Sequence, residues 1–173
     1  TEDGLYIKDN VVIECKNDVT SIVIPSSVTS IDNYTFSWRR SLNSVTFEEN
    51  SQLTSIGNGA FNNCTGLTSI EIPSSVTEIG SSAFNNCDSL TSVTFEDCST
   101  LTYIGNNAFS YIPWLNNQTE EVIYICNILY EANTSLSGNY EVREGTTQIC
   151  GSAFSSCSGL TSIVIPSSVT SIG

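Results

Sequence analysis

The sequence contains no histidine and no methionine. Without histidine, the Ser-His-Asp and Cys-His arrangements that activate a nucleophile cannot be assembled. There is no Cys-x-x-Cys pair either, so the usual zinc-ligand spacings are missing. Basic residues are scarce: Lys and Arg number 5 against 18 Asp and Glu, for a formal net charge of -13. That balance argues against nucleic acid, whose phosphates select cations, and against adsorption on anionic lipid. It favours solubility, and a basic partner or cation wherever charge complementarity is used. No apolar run is long enough to span a bilayer, so this stretch is not expected to insert in a membrane. No signal peptide or lipidation motif is present. Phosphate-cradling glycine loops and EF-hand loops are absent too, so no cofactor or metal is expected. Glu48-Glu49, Glu96-Asp97 and Glu120-Glu121 are adjacent carboxylates, but neighbours on a strand face opposite sides. They make poor acid/base pairs, and the chain reads as a non-enzyme.

What the sequence has is a repeat. Leu67–Ser89 reads LTSIEIPSSVTEIGSSAFNNCDS. Ile70 and Ile72 alternate with Ser69, Glu71 and Pro73, which marks a short strand. Val76 and Ile79 are a second inward pair. Ala83, Phe84 and Cys87 follow at spacings of three and four residues, which predicts a helical or 3₁₀ turn. The same order recurs from Val19, Leu42, Leu90 and Leu160. Successive starts lie 23 (42 − 19), 25 (67 − 42) and 23 (90 − 67) residues apart. Such a period, with leucine-like positions at L-x-x-L-x-L spacing, is the mark of a leucine-rich solenoid. One unit cannot bury its own apolar face, but stacked units can. Ladders are therefore expected along Ile22/Val45/Ile70/Val93/Ile163 and Phe36/Phe61/Phe84/Phe109/Phe154.

The module L-x-x-I-x-I-P-x-S-V-T-x-I-G-x-x-A-F-x-x-C resembles the treponemal-type leucine-rich repeats of BspA-like bacterial surface proteins. The likeness is near-complete over Val19–Phe109 and Ile149–Gly173, and looser over Thr1–Asp18 and Pro113–Gln148. It implies an α/β repeat solenoid: a right-handed leucine-rich repeat with short parallel strands and a mostly irregular or 3₁₀/short-helical convex side. It also implies one hairpin-bearing variant unit. In function it implies a cell-surface or secreted module for recognition and adhesion. The expected partner is an extracellular protein or glycan. Two alternatives stand beside it: a passive spacer or stalk, and an accessory binding region of a surface enzyme.

Residues 1–173 are read as one repeat domain, expected to be monomeric and a piece of a longer array. Residues 1–18 form an irregular capping or variant unit, with two short strands joined at Lys8-Asp9-Asn10. Residues 19–110 are regular, 111–148 are an irregular insert, and 149–173 resume the repeat. The insert echoes the start of the chain, with Leu5-Tyr6-Ile7 set against Ile123-Tyr124-Ile125. Cys64, Cys87 and Cys157 share one repeat position and read as a reduced, buried column. A Cys64–Cys87 bridge is geometrically allowed. Cys15, Cys98, Cys126 and Cys150 are irregularly placed.

Three surfaces are candidates for a ligand. The outward strand positions Ser44, Thr46, Ser69, Glu71, Ser92 and Thr94 give a hydroxyl-rich, mildly acidic sheet face. Trp38, Arg39 and Arg40 stand where later units carry Asn-Asn-Cys; they read as a contact patch or as a packed Trp with solvated arginines. Trp114, Tyr124, Tyr130 and Tyr140 mark the insert, which reads as a specific contact site or as a local bulge.

Overall fold

The computed structural model describes residues 4–173, so Thr1–Asp3 of the expected capping unit lie outside the described residues. A hairpin opens the fold. Strands β1 (Leu5–Lys8) and β2 (Val11–Cys15) run antiparallel. They are joined by Asp9 and Asn10 at φ 51 and 63, a two-residue turn whose twist matches that of the strands.

Four coils of a right-handed solenoid follow. Each supplies a four-residue strand and a two-residue strand. These are β3 (Ser21–Ile24) and β4 (Ser30–Ile31), then β5 (Ser44–Phe47) and β6 (Ser55–Ile56). Next come β7 (Ser69–Ile72) and β8 (Glu78–Ile79), then β9 (Ser92–Phe95) and β10 (Tyr103–Ile104). The two-residue strands, which the sequence pattern shows only as an inward pair, build the longest sheet, ordered β1-β2-β4-β6-β8-β10. Through the pairing of β2 with β4, the hairpin lies against the first coil.

The four-residue strands pair only in twos, β3 with β5 and β7 with β9. The amides of Glu48 and Glu96 donate to Ile24 O and Ile72 O within these pairs. Pro73 holds the corresponding place on β7 and has no N–H, so that rung toward β5 cannot form. Glutamates of the longer coils also reach back: Glu48 accepts from Ser26 N–H at 2.8 Å and Glu96 from Ser74 N–H at 2.9 Å.

The convex side is a run of turns. In the second coil Ala60, Asn62 and Cys64 donate N–H groups to the carbonyls of Gly57, Gly59 and Phe61, while Gly59, Phe61 and Asn63 donate to the next coil. Two positions per coil lie at positive φ, which prevents a continuous helix. One column is Tyr34, Gly59, Ser82, Asn107 and Ser152; the other is Trp38, Asn63, Asn86, Tyr111 and Ser156.

Phe36, Phe61, Phe84 and Phe109 stack with centroids 4.8, 5.1 and 5.3 Å apart and rings within 9° of parallel. The column ends there rather than continuing to Phe154. Trp114 and Tyr130 meet Phe109 edge-on instead. The short helix α1 (Pro113–Asn116) brings in Trp114. A second hairpin then restarts the fold, with β11 (Val122–Ile125) and β12 (Ile128–Ala132), followed by β13 (Ser137–Glu141) and β14 (Gln148–Ile149). The last coil holds β15 (Gly159–Val164) and β16 (Ser171–Ile172). Its sheet runs β11-β12-β14-β16, separate from the first. Phe154 and Ile163 pack in this second block, with Tyr140 and Leu129.

The second strands of the two hairpins match as the sequence reads, Val11-Val12-Ile13 with Ile128-Leu129-Tyr130, but the first strands match one residue away from the expected alignment. Both bulge at corresponding places, Tyr6/Ile7 and Ile123/Tyr124, so Ile7 corresponds to Tyr124. Turn geometry sets the register, and it overrides the similarity of the Leu-Tyr-Ile and Ile-Tyr-Ile triplets.

Between the blocks, side chains replace the backbone ladder. Gln148, 3% exposed, donates from Nε2 to Ile104 O and accepts Ile104 N–H at Oε1, both at 2.9 Å. In the regular coils Phe36, Phe61 and Phe84 donate their N–H groups to alanine carbonyls of the next coil. Phe109 N–H donates instead to the Tyr130 hydroxyl at 2.9 Å. A disulfide, Cys98–Cys126, ties the loop after β9 to the second hairpin's turn. Cys64 and Cys87 remain free, so the allowed bridge between them is not made. Each points its S–H at a carbonyl one coil back, Phe36 O and Phe61 O.

Candidate ligand surfaces

On the sheet face, Ser44, Thr46, Ser69, Glu71, Ser92 and Thr94 are all exposed, as alternation requires. The gap between β5 and β7 gathers four of them. Ser44, Thr46, Ser69 and Glu71, joined by Phe47 and Glu96, line a groove of about 320 Å³. Ser92 and Thr94 lie on β9, outside this groove. The groove offers hydroxyls and two carboxylates but no exposed aromatic ring. Glu96 is partly committed to Ser74.

The insert is largely occupied with itself. Tyr130, expected at the surface, is 5% exposed and serves the junction. Burial pushes its hydroxyl pKa up to about 12, against the backbone hydrogen bond from Phe109, which lowers it. Trp114 is half-buried against Phe109. Tyr124 and Tyr140 share a hydroxyl hydrogen bond of 3.0 Å. Desolvation, and then that bond, raise the Tyr140 pKa. Arg143 lies over the Tyr124 ring, 4.2 Å from its centroid, and its amide donates to the Tyr124 hydroxyl. A shallow cleft of about 260 Å³ runs beside Tyr124 and Arg143, next to Gln118 and Glu120.

The first coil presents the most unusual surface. Trp38 is 57% exposed and not packed on the coil edge. Arg40 is exposed, with its guanidinium 5.1 Å from the Trp38 ring centroid, a cation–π contact. Arg39 is half-buried, and its guanidinium donates to Cys15 O and Ser37 O. It fastens the coil to β2 and holds up the patch without forming its outer face. Tyr34, 63% exposed, lies over the neighbouring coil, where a Cβ on Gly59 would sit 2.5 Å from its ring. Gly59 itself has φ +57, so both backbone and space call for glycine there.

Tyr34, Trp38 and the 73%-exposed Tyr111 occupy left-handed backbone positions that Asn, Ser or Gly fill in other coils. A left-handed residue costs roughly 1–2 kcal/mol for an ordinary L side chain, and Asn or Gly tolerates it best. Exposed rings recover little of that by burial. Sequence reading missed Tyr34 and Tyr111. The signal was alignment of each coil's A-F segment, where aromatics stand in columns of small polar residues.

Among the described residues, no group of three or more Cys, Asp or Glu could hold a metal ion. Among them too, no helix is long and apolar enough to cross a membrane.

Stacked coils, short parallel strands and a turn-built convex side define a leucine-rich repeat solenoid. The chain belongs to the BspA type leucine-rich repeat family, whose model matches residues 6–137 and 124–173 in six copies. Its fold is similar to that of the Treponema pallidum leucine-rich repeat protein TpLRR, with TM-score 0.57 and 21% identity over 100% of this chain and 85% of that one. It is also similar to the pneumococcal vaccine antigen PcpA, with TM-score 0.51 and 20% identity over 87% of this chain. There the match spans about half of the other chain, 51%. At these identities the likeness is one of fold. No curated protein matches the chain.

Proposed function

We propose that the protein is a non-enzymatic recognition and adhesion module, secreted or displayed on a cell surface, that binds an extracellular protein or glycan as a monomer. The observation that carries this reading is the exposed Trp38–Arg40 patch, with exposed Tyr34 four residues earlier on the same coil. Exposed aromatics with a guanidinium are typical of binding hot spots, and here they sit where backbone preference opposes them. The disulfide supports an oxidising, extracellular setting, and membership of a BspA type family supports the same placement.

The test is a glycan and extracellular-matrix array probed with the purified chain and with Trp38→Asn at physiological salt. Saturable binding lost in the variant, with circular dichroism unchanged, is the expected result. A folded protein that binds nothing on the array would favour the spacer reading, which the absence of exposed rings in the sheet-face groove otherwise supports.

A further inference from the structure

The column that starts at Trp38 continues through Asn63 and Asn86 to Tyr111. Trp38, Asn63 and Asn86 each donate a backbone N–H to the following coil, to Asn62 O, Asn85 O and Ser110 O, so the column is a continuous rigid edge. The coil steps measured on the phenylalanines, 4.8, 5.1 and 5.3 Å, place the Trp38 and Tyr111 backbones about 15 Å apart. Both end rings are more than half exposed, and the two asparagines between them are half-buried. Arg40 stands at the Trp38 end only.

We infer that this column binds a short oligosaccharide whose terminal sugar carries a carboxylate. The inference rests on the recognition reading above and names its ligand class. Trp38 stacks on the C–H face of the terminal ring, and Arg40 pairs with its carboxylate. Asn63 Nδ2 also donates to Asn62 Oδ1, so its Oδ1 and second N–H, with the Asn86 amide, exchange hydrogen bonds with sugar hydroxyls, and Tyr111 meets the face of the far ring. Isolated rings separated by amides suit alternating C–H faces and hydroxyls. A protein partner would need a contiguous, desolvated apolar centre, which separated rings do not supply. Charge limits the ligand to one acidic group. No lysine or arginine occurs between Arg40 and Arg143, and Asp88 lies two residues beyond Asn86. A polyanion laid along the column would be repelled, whereas one carboxylate at the Arg40 end is matched.

The experiment is a calorimetric and tryptophan-fluorescence titration of the full chain with 3′-sialyllactose, a glucuronate-capped trisaccharide, and lactose. At least one acidic trisaccharide should bind saturably, and at least tenfold more tightly than lactose; the tighter of the two names the acidic sugar. Trp38→Asn should weaken that binding at least tenfold, and so should Arg40→Gln. Tyr111→Asn should weaken it several-fold. The two Asn variants install the column's own ordinary residue, so their folds are expected to hold, and melting curves check this. Absence of saturable binding by either acidic trisaccharide overturns the proposal, as does lactose binding equally well or indifference to Trp38→Asn. Loss of a matrix-protein signal in Trp38→Asn without saccharide binding also overturns it, while leaving the broader recognition reading in place.

Discussion

Replacing Gln148 should uncouple the two blocks of the solenoid. Its amide meets both backbone groups of Ile104, at 2.9 Å each and out of water. Gln148→Leu keeps the volume but leaves the buried Ile104 N–H unpaired and its C=O with only the weak S–H of Cys150 at 3.5 Å. Each such group costs about 1–3 kcal/mol, or about 2–6 kcal/mol for the pair. Burying the leucine side chain returns about 1–2 kcal/mol, and setting the centres of the two ranges against each other leaves an expected net loss of about 2.5 kcal/mol. Gln148→Glu sharpens the argument. At neutral pH its carboxylate accepts from Ile104 N–H but confronts Ile104 O with no proton to donate. Burial and that carbonyl favour the neutral acid, so the folded-state pKa rises above the unfolded one. Stability is then highest below the unfolded value and is lost as pH rises through the folded one. The deficit relative to wild type should therefore shrink as the protein is taken from pH 7 toward pH 4. Urea unfolding followed by circular dichroism and by tryptophan fluorescence measures both effects, and non-coincident curves would show the two blocks no longer unfolding together. A Gln148→Leu stability within about 0.5 kcal/mol of wild type, or a Gln148→Glu deficit independent of pH, would rule out Gln148 as the bridge between the blocks.

Tyr130→Phe should cost about 1–3 kcal/mol by stranding the Phe109 N–H, without altering the stacked ring, as read from urea midpoints. Removing both Cys98 and Cys126 as serines opens a cross-link between residues 28 apart. The chain-entropy relation puts that at about 3–4 kcal/mol, and thermal unfolding under non-reducing conditions checks it. The remaining cysteines, Cys15, Cys64, Cys87, Cys150 and Cys157, are buried and free. A disulfide-exchange colorimetric thiol assay should find them silent in the native protein and all five reactive in denaturant. Desolvation raises Cys64 and Cys150 to about 12 and pushes Cys87 up as well. Their contribution is complete below the unfolded thiol value of 9.0 and is lost as pH rises toward 12. Urea midpoints should accordingly fall between pH 9 and 12, and flat midpoints over that window would contradict the burial. Trp38→Asn relieves about 1–2 kcal/mol of left-handed strain and forfeits about 0.5–1 kcal/mol of exposed cation–π contact. A small net gain in melting temperature is expected, and a marked loss would make Trp38 a packing residue.

The architecture was legible because its cause is periodic. Ile70 and Ile72 alternate, Phe84 follows at a fixed offset, and the next coil repeats both, so burial along a stack is the one arrangement that serves all of them. What sequence reading missed has other causes. The two-residue strands β4, β6, β8 and β10 each have one inward residue, Ile31, Ile56, Ile79 and Ile104, too short a run to show period two. Gln148 shares its sheet position with Ser171 and, in the first block, with Ser30, Ser55, Glu78 and Tyr103. Polar residues are ordinary there, and only the broken ladder beside it turns one of them into a buried bridge. Cys98 and Cys126 are far apart in sequence and off the repeat positions, and only the second hairpin's placement brings them together.

The candidate ligand surface was only partly legible for a related reason. A sequence pattern of inward and outward residues assigns a face, but it does not report φ. Trp38 therefore read more readily as a packed ring than as a contact. The backbone decides between these readings. A ring that packs would lower its exposure to offset left-handed strain, whereas Tyr34, Trp38 and Tyr111 all stay open. In a repeat protein the neighbouring coils serve as an internal control. Asn63 and Asn86 show the residue type that the left-handed backbone ordinarily takes, so the aromatic departures at either end of that column are where constraint from outside the fold is to be sought.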